Sequence, residues 1–180
     1  DRGEGSGPYA RALAEELLAL LDRAVARRLV ADVPVGAFLS GGIDSSAVAA
    51  LAMRHCRREQ LKSFSIGFTE SAFDESPHAR RVAQHIGAAH QVDACTIDDL
   101  RLSLPQILAN LDEPLADASL LPTWLLCRHA RRQVTVALGG DGADELLAGY
   151  DPFRALAPAR LYQRWVARPL HRAISAVVAR

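Results

Sequence analysis

The stretch Leu39-Ser40-Gly41-Gly42-Ile43-Asp44-Ser45-Ser46 limits what this chain can become more than any other. The apolar run Val33-Pro34-Val35-Gly36-Ala37-Phe38-Leu39 before it predicts a buried strand, and Ala47-Val48-Ala49-Ala50-Leu51-Ala52-Met53 after it predicts a helix. A strand passing through a glycine-serine turn into a helix makes an anion site, because the first N–H groups of the helix lack internal acceptors and the helix dipole favours negative charge there. Gly41 and Gly42 let the backbone approach a phosphate closely, and Ser40, Ser45 and Ser46 add hydroxyl donors. Asp44 is the odd member. A carboxylate in a phosphate cradle repels its ligand unless a cation lies between them, so the pattern implies Mg²⁺.

No lysine follows the turn, which excludes a Walker A loop, and the spacing is not Gly-x-Gly-x-x-Gly. Ser-Gly-Gly-x-Asp-Ser resembles the pyrophosphate (PP) loop of the ATP pyrophosphatase group, whose members split ATP between the α and β phosphates. The alternative, a tight turn with no ligand, has strand, glycines, serines and acid all against it.

The 180 residues suit one domain able to bury a core without staples. With 21 basic and 21 acidic residues, nothing favours a nucleic-acid surface. The local basic clusters (residues 54–58, 80–81 and 131–132) end apolar helical stretches, where cations suit the dipole. Three distant cysteines, Cys56, Cys95 and Cys127, support neither zinc nor a disulfide framework and are expected to be buried, reduced and structural, as in a cytoplasmic protein. No apolar stretch reaches membrane-span length, and the six histidines lack ligand spacing.

Residues 1–8 read as a linker, and the helical pattern at the end has no stop signal, which suggests a piece of a longer protein. A helix is expected over residues 9–31, with Leu13, Leu17, Leu21, Val25 and Leu29 as its apolar stripe. Strands are expected at 35–39, 62–68, 90–92 (short) and 134–138. Helices are expected at 45–56, at 97–111 (bent or restarted at Pro105) and at 119–131, with another opening at Asp74-Glu75-Ser76-Pro77 and stopping at Gly87. A short helix to about residue 148 and a mostly helical stretch over 152–180 follow. The alternation means a doubly wound parallel sheet of about five strands, with an extra N-terminal helix and a helical tail. The expected division is 9–150 for the domain and 151–180 for a helical extension.

Ligands of such sheets sit beyond the C-terminal strand ends, at the switch in strand order. Gly139-Gly140-Asp141-Gly142-Ala143-Asp144-Glu145 directly follows the last expected strand, so it is expected to meet the first loop there. Its glycines permit close contact with a nucleotide, and Asp144 is placed to share the Mg²⁺ of Asp44. An acidic turn that only caps a helix is the alternative.

Four segments together resemble the synthetase domain of glutamine-dependent asparagine synthetase. They are residues 32–46, Phe64-Ser65-Ile66-Gly67-Phe68 with Phe73-Asp74-Glu75-Ser76, Asp112-Glu113-Pro114, and residues 138–150. The resemblance implies an adenine nucleotide alpha hydrolase-like fold and an ATP-dependent ligase. Such an enzyme adenylates the aspartate side chain, releases pyrophosphate, and transfers ammonia to give asparagine. It implies ATP phosphates on Ser40, Gly41, Gly42, Ser45 and Ser46, adenosine on Leu39, Ile66 and Gly67, and the ribose or α phosphate near Gly139 and Gly140. Asp44 and Asp144 are implied as Mg²⁺ ligands and Asp141, which some members replace by Glu, as the sensor of substrate or adenylate. Asp112, Glu113 and Asp117 either face the pocket or order their loop.

Two departures stand out. Many members carry Ser where this chain has Gly139. The family also uses a lysine downstream of this region in adenylation, whereas Lys62 is the one lysine here and opens the second expected strand, away from the ligand face. The ammonia is expected from a glutaminase domain outside this chain, and a homodimer stays open. The chain is expected to bind nucleotide but turn over poorly. Two rivals remain: the same chemistry on another acid (β-lactam, peptide macrocycle or polysaccharide precursor), and a nucleotide-binding module without synthesis.

Overall fold

Four strands lie parallel in the order β3-β2-β1-β4, with β1 at Val35–Phe38, β2 at Lys62–Phe68, β3 at Ala89–Cys95 and β4 at Val136–Leu138. A computed structural model of the chain describes residues 7–57, 60–70, 73–113, 115–166 and 171. The expected linker (apart from residues 7 and 8), Arg58, Pro114 and nearly all of the tail beyond 166 lie outside them. The helices are α1 (Pro8–Arg28), α2 (Ile43–His55), α3 (Ser76–Ile86), α4 (Ile97–Ala109), α5 (Leu120–Ala130), α6 (Ala143–Leu147), α7 (Asp151–Arg154) and α8 (Leu156–Trp165). The chain divides into two compact units, Asp1–Gly140 and Asp141–Arg180, a division that the expected 9–150 domain spans.

Starting at β1, the chain steps outward through β2 to β3, then returns to place β4 on the other flank of β1. The switch in strand order therefore falls between β1 and β4, the place where sheets of this kind hold ligands beyond the C-terminal strand ends. On one face of the sheet Ala37 and Leu39 pack with Val25 of α1, Ala49, Leu51 and Ala52 of α2, and Ala79 and Ala83 of α3. A second cluster joins Phe64 to Ala130 and Val134, with Phe38 and Leu126 against it. A doubly wound parallel sheet is thus the architecture, with four strands among the described residues where about five were expected.

Three elements differ from expectation. β3 runs seven residues instead of three, because its full length pairs with β2 from Lys62↔Ala89 to Phe68↔Cys95. Backbone pairing there outweighs the weak strand preference of Asp93 and Ala94. β4 is shorter than expected and lies at the sheet edge, so Val136 is 42% exposed. In α1 only Val25 is buried, while Leu13, Leu17 and Leu21 are exposed. The C-terminal part of α1 is tied to α2, where Asp22 pairs with Arg54 at 3.2 Å and His55 at 3.1 Å. Pro105 sits inside a continuous α4, which opens on a reciprocal Thr96–Asp99 capping box.

Candidate functional site

The first loop is knitted by its own serines. Ser40 N–H donates to Ser45 Oγ at 3.3 Å, the two Oγ atoms lie 2.9 Å apart, Gly42 N–H donates to Ser40 Oγ at 3.2 Å, and Ser45 Oγ donates to the Gly42 carbonyl at 3.4 Å. With Ser40 Oγ donating to Ser45 Oγ, every hydrogen in this ring has one acceptor. These hydroxyls are spent on loop shape. What remains for an anion is backbone: Gly42 caps α2 with no side-chain bond, so Ile43 and Asp44 N–H lack acceptors inside the helix. Ser46 Oγ is buried without a partner among the described residues, which suits a ligand that brings its own acceptor. Asp44 stands in the first turn of α2 and makes no ion pair among the described residues, so its carboxylate is available to a cation.

Two other elements close on this loop. Gly41 has φ +89°, and a Cβ there would lie 2.6 Å from His78 Cβ and 2.7 Å from Ala79 N, so the first turn of α3 abuts the loop. His78 Nδ1 lies 2.8 Å from Arg81 Nη2; since a guanidinium only donates, Nδ1 accepts. From the other side comes the end of β4. A Cβ on Gly140 would fall 2.7 Å from Ser45 N and 3.0 Å from Asp44 Cβ. Gly140 is therefore a glycine because its backbone meets the first turn of α2, and the two chain segments flanking the switch point touch.

Leu39 is 1% exposed and belongs to the core, so only its backbone is offered outward. Ile66 and Gly67 are half-buried near the C-terminal end of β2. A Cβ on Gly67 would be 3.1 Å from Val92, 3.3 Å from Ser76 Oγ and 3.5 Å from Asp74 Oδ1. Asp74 does more than open a helix. Its Oδ1 accepts from Ser76 N at 3.1 Å and Phe68 N at 3.4 Å, which joins β2 to α3. Hydrogen bonding by Ser76, foremost through its hydroxyl, holds the carboxyl below the usual aspartate range. The signal in the sequence was an Asp two residues before a Ser at a helix start, a turn-forming pattern.

Asp117 orders its own loop: Oδ1 accepts from Ser119 N at 2.8 Å, and this bonding lowers its pKa. Asp112 and Glu113 are exposed. Lys62 begins β2, at the end of the sheet opposite the loops. Cys95 is buried as expected, but Cys56 is only half-buried and Cys127 is exposed; what burial the sulfurs have is the first cause raising the pKa of all three thiols. His90 bridges Ser63 and Ser65 at 2.9 and 3.2 Å, and burial first, then Arg80, lowers its pKa.

In the second unit Gly142 caps α6 with φ +89°, and Gly149 N–H donates to the Asp144 carbonyl at 3.0 Å. A Cβ on Gly149 would collide with the Asp144 carboxylate, so glycine there leaves that side chain its room. Tyr150 OH donates to Glu145 Oε1 at 2.7 Å. Asp141 is exposed.

Known proteins share both sequence and fold with this chain. A protein of Mycobacterium tuberculosis named "Putative asparagine synthetase [glutamine-hydrolyzing]" is 44% identical over 163 residues, 91% of this chain and 24% of that protein. Asparagine synthetase (glutamine-hydrolyzing) 1 of Bacillus subtilis is 38% identical over 133 residues, 74% of this chain and 21% of that protein. The chain thus spans about a quarter of the length of these relatives. Among solved structures, the glutamine-dependent NAD⁺ synthetase of Acinetobacter baumannii in complex with ADP superposes with TM-score 0.55 at 21% identity, over 75% of this chain and 27% of that one. The NH₃-dependent NAD synthetase of Campylobacter jejuni gives TM-score 0.51 at 19% identity, over 76% of this chain and 60% of that one. These share the fold, an adenine nucleotide alpha hydrolase-like parallel sheet. The family description "Asparagine synthase" matches residues 16–180, which takes in the serine ring, the Gly140 contact and the second loop alike, and the chain belongs to that family.

Proposed function

We propose that this chain holds ATP by its phosphates and activates a carboxylic acid by adenylation, as the nucleotide-binding part of an amide-forming synthetase. The observation that carries the reading is the approach of Gly140 to the first turn of α2, which brings the end of β4 onto a serine-knit loop at the switch point. The names of the relatives make aspartate the first choice of acid. Its side-chain carboxylate attacks the α phosphorus, and the bond to the oxygen bridging α and β phosphorus breaks, so pyrophosphate leaves with the electron pair. Ammonia then attacks the acyl carbon, AMP departs and a proton is lost, leaving the amide.

Each residue has a task in this scheme. The free N–H groups of the α2 first turn, with Ser46, hold the pyrophosphate, while Ser40, Ser45, Gly41 and Gly42 fix the loop. The Leu39 backbone, Ile66 and Gly67 take the adenosine, and Gly139 and Gly140 let the chain approach the ribose or α phosphate. Asp44 is the proposed Mg²⁺ ligand of the first unit, and the cation supplies charge to offset that developing on the departing pyrophosphate. Asp141 as substrate sensor and Asp144 as metal ligand rest on the family resemblance, and substitution of each is the check.

ATP–pyrophosphate exchange with radiolabelled pyrophosphate, measured on the full-length protein, tests the reading. Exchange that requires aspartate supports it, and exchange with another acid moves the substrate while keeping the chemistry. A second reading is nucleotide binding without synthesis, for which the serine-knit loop and the free N–H groups of the α2 first turn suffice. Mg-ATP binding with no exchange for any acid would establish that reading instead. A chain that does not bind Mg-ATP refutes both.

A further inference from the structure

We propose that Asp74 is a positioning residue for ATP, setting the spacing between the ledge at Ile66 and Gly67 and the phosphate loop at Gly41. This rests on the reading that ledge and loop hold the two ends of one nucleotide. The carboxylate is a strut with two feet. One is Phe68 N–H at the end of β2, 3.4 Å away, next to Gly67; the other is Ser76 N–H at the start of α3, 3.1 Å away. Two residues further on, His78 and Ala79 are the atoms against which Gly41 is wedged. A continuous path of contacts therefore runs from Gly67 through Asp74 and the first turn of α3 to the glycine of the phosphate loop. Val92 and Ser76 close on Gly67 at the near end, leaving it little room to compensate. An ionised acceptor makes stronger bonds to N–H groups than a neutral one, and Asp74 is an aspartate whose pKa is held below its ordinary range by Ser76, first through the hydroxyl and then through its N–H.

Shortening the strut should misplace adenosine relative to the phosphates while leaving each half-site intact. Equilibrium binding of ATP and of inorganic pyrophosphate, both with Mg²⁺, should be measured on the 180-residue chain and on Asp74→Ala and Asp74→Asn. Asp74→Ala should weaken ATP about tenfold and pyrophosphate less than about twofold, since small misplacements act only on a ligand that spans both ends. Asp74→Asn, which keeps a neutral acceptor, should fall between, at roughly threefold. Equal weakening of both ligands would make Asp74 merely structural and overturn the proposal, as would ATP binding unchanged in both variants. A parent chain that binds neither ligand removes the ATP reading itself, and the proposal with it; that result is separate from a parent that binds both with variants that do not discriminate.

Discussion

Gly41 and Gly142 share one backbone angle, φ +89°, and differ in everything around it. A Cβ at Gly41 would strike His78 and Ala79, whereas a Cβ at Gly142 would meet nothing within 4 Å. The first loop is glycine for conformation and for space; at Gly142 conformation alone demands it. The same contrast runs through the hydrogen bonds. Ser40 and Ser45 knit their own loop through four hydrogen bonds, while among the described residues the second loop has one side-chain pair, Glu145 with Tyr150, beside its backbone bonds. A loop wedged between two helices and a strand end is shaped before any ligand arrives, and preorganised donors are what phosphate binding rewards.

The largest effect expected from this contrast is at Gly41. Gly41→Ala combines a left-handed alanine, roughly 1–2 kcal/mol, with an overlap against α3 backbone worth about 1–3 kcal/mol more. Denaturant unfolding should show a loss of about 3 kcal/mol, and Asn at this position should give no recovery, because the overlap remains. A loss no greater than that of Gly142→Ala would break the contrast. Next comes Asp44→Ala, which tests the first loop as a ligand site. Mg-dependent ATP binding should weaken by about 1.5–3 kcal/mol with folding stability nearly unchanged, since Asp44 makes no ion pair among the described residues. Titration calorimetry with and without Mg²⁺ reads this, and a variant that binds Mg-ATP like the parent removes Asp44 from the metal.

Much of this arrangement could be read in the sequence, and the parts that could not have a common cause. β2 falls at Lys62–Phe68 as read, because its apolar and small residues alternate without a competing helical period. Leu39 to Ser46 announced a strand, a turn and a helix locally, and all three form. What stayed hidden depends on partners far away in sequence. β3 is lengthened by β2, and the apolar face of α1 is covered only near Val25, because periodicity reports a face that would bury well but not what buries it. Gly140 was legible as flexible, yet its reason is a contact with Ser45, nearly a hundred residues earlier. Asp74 was legible as a helix-opening acid, and its second bond, to Phe68, needed the sheet to exist.

A smaller effect separates the loops from the other side. Gly142→Ala has the left-handed cost without an overlap, so about 1 kcal/mol should be lost. Gly142→Asn should recover most of it, because Asn tolerates this conformation and open space surrounds it. Amide exchange at Leu146, whose N–H donates to the Gly142 carbonyl at 3.2 Å, is a local readout of that turn. If Asn fails to recover protection, something other than backbone angle holds Gly142, and the contrast with Gly41 narrows.

The smallest effect concerns the exposed pair that anchors the second loop. The Tyr150 hydroxyl is the first cause holding Glu145 below the usual glutamate range, and Glu145 in turn is the first cause raising Tyr150 above the usual tyrosine range. The sign follows for each partner. A lowered glutamate stabilises the loop above its ordinary value of about 4.3 and stops doing so as pH falls through the lower folded value. A raised tyrosine contributes below its ordinary value of about 10 and stops as pH rises through the higher folded one. The pair therefore acts across neutral pH and fails at both ends. Tyr150→Phe should return the Glu145 carboxyl titration, followed by NMR, to its ordinary range, while the Asp74 titration between β2 and α3 stays depressed by Ser76. Movement of both titrations together would mean that the two loops do not keep separate supports.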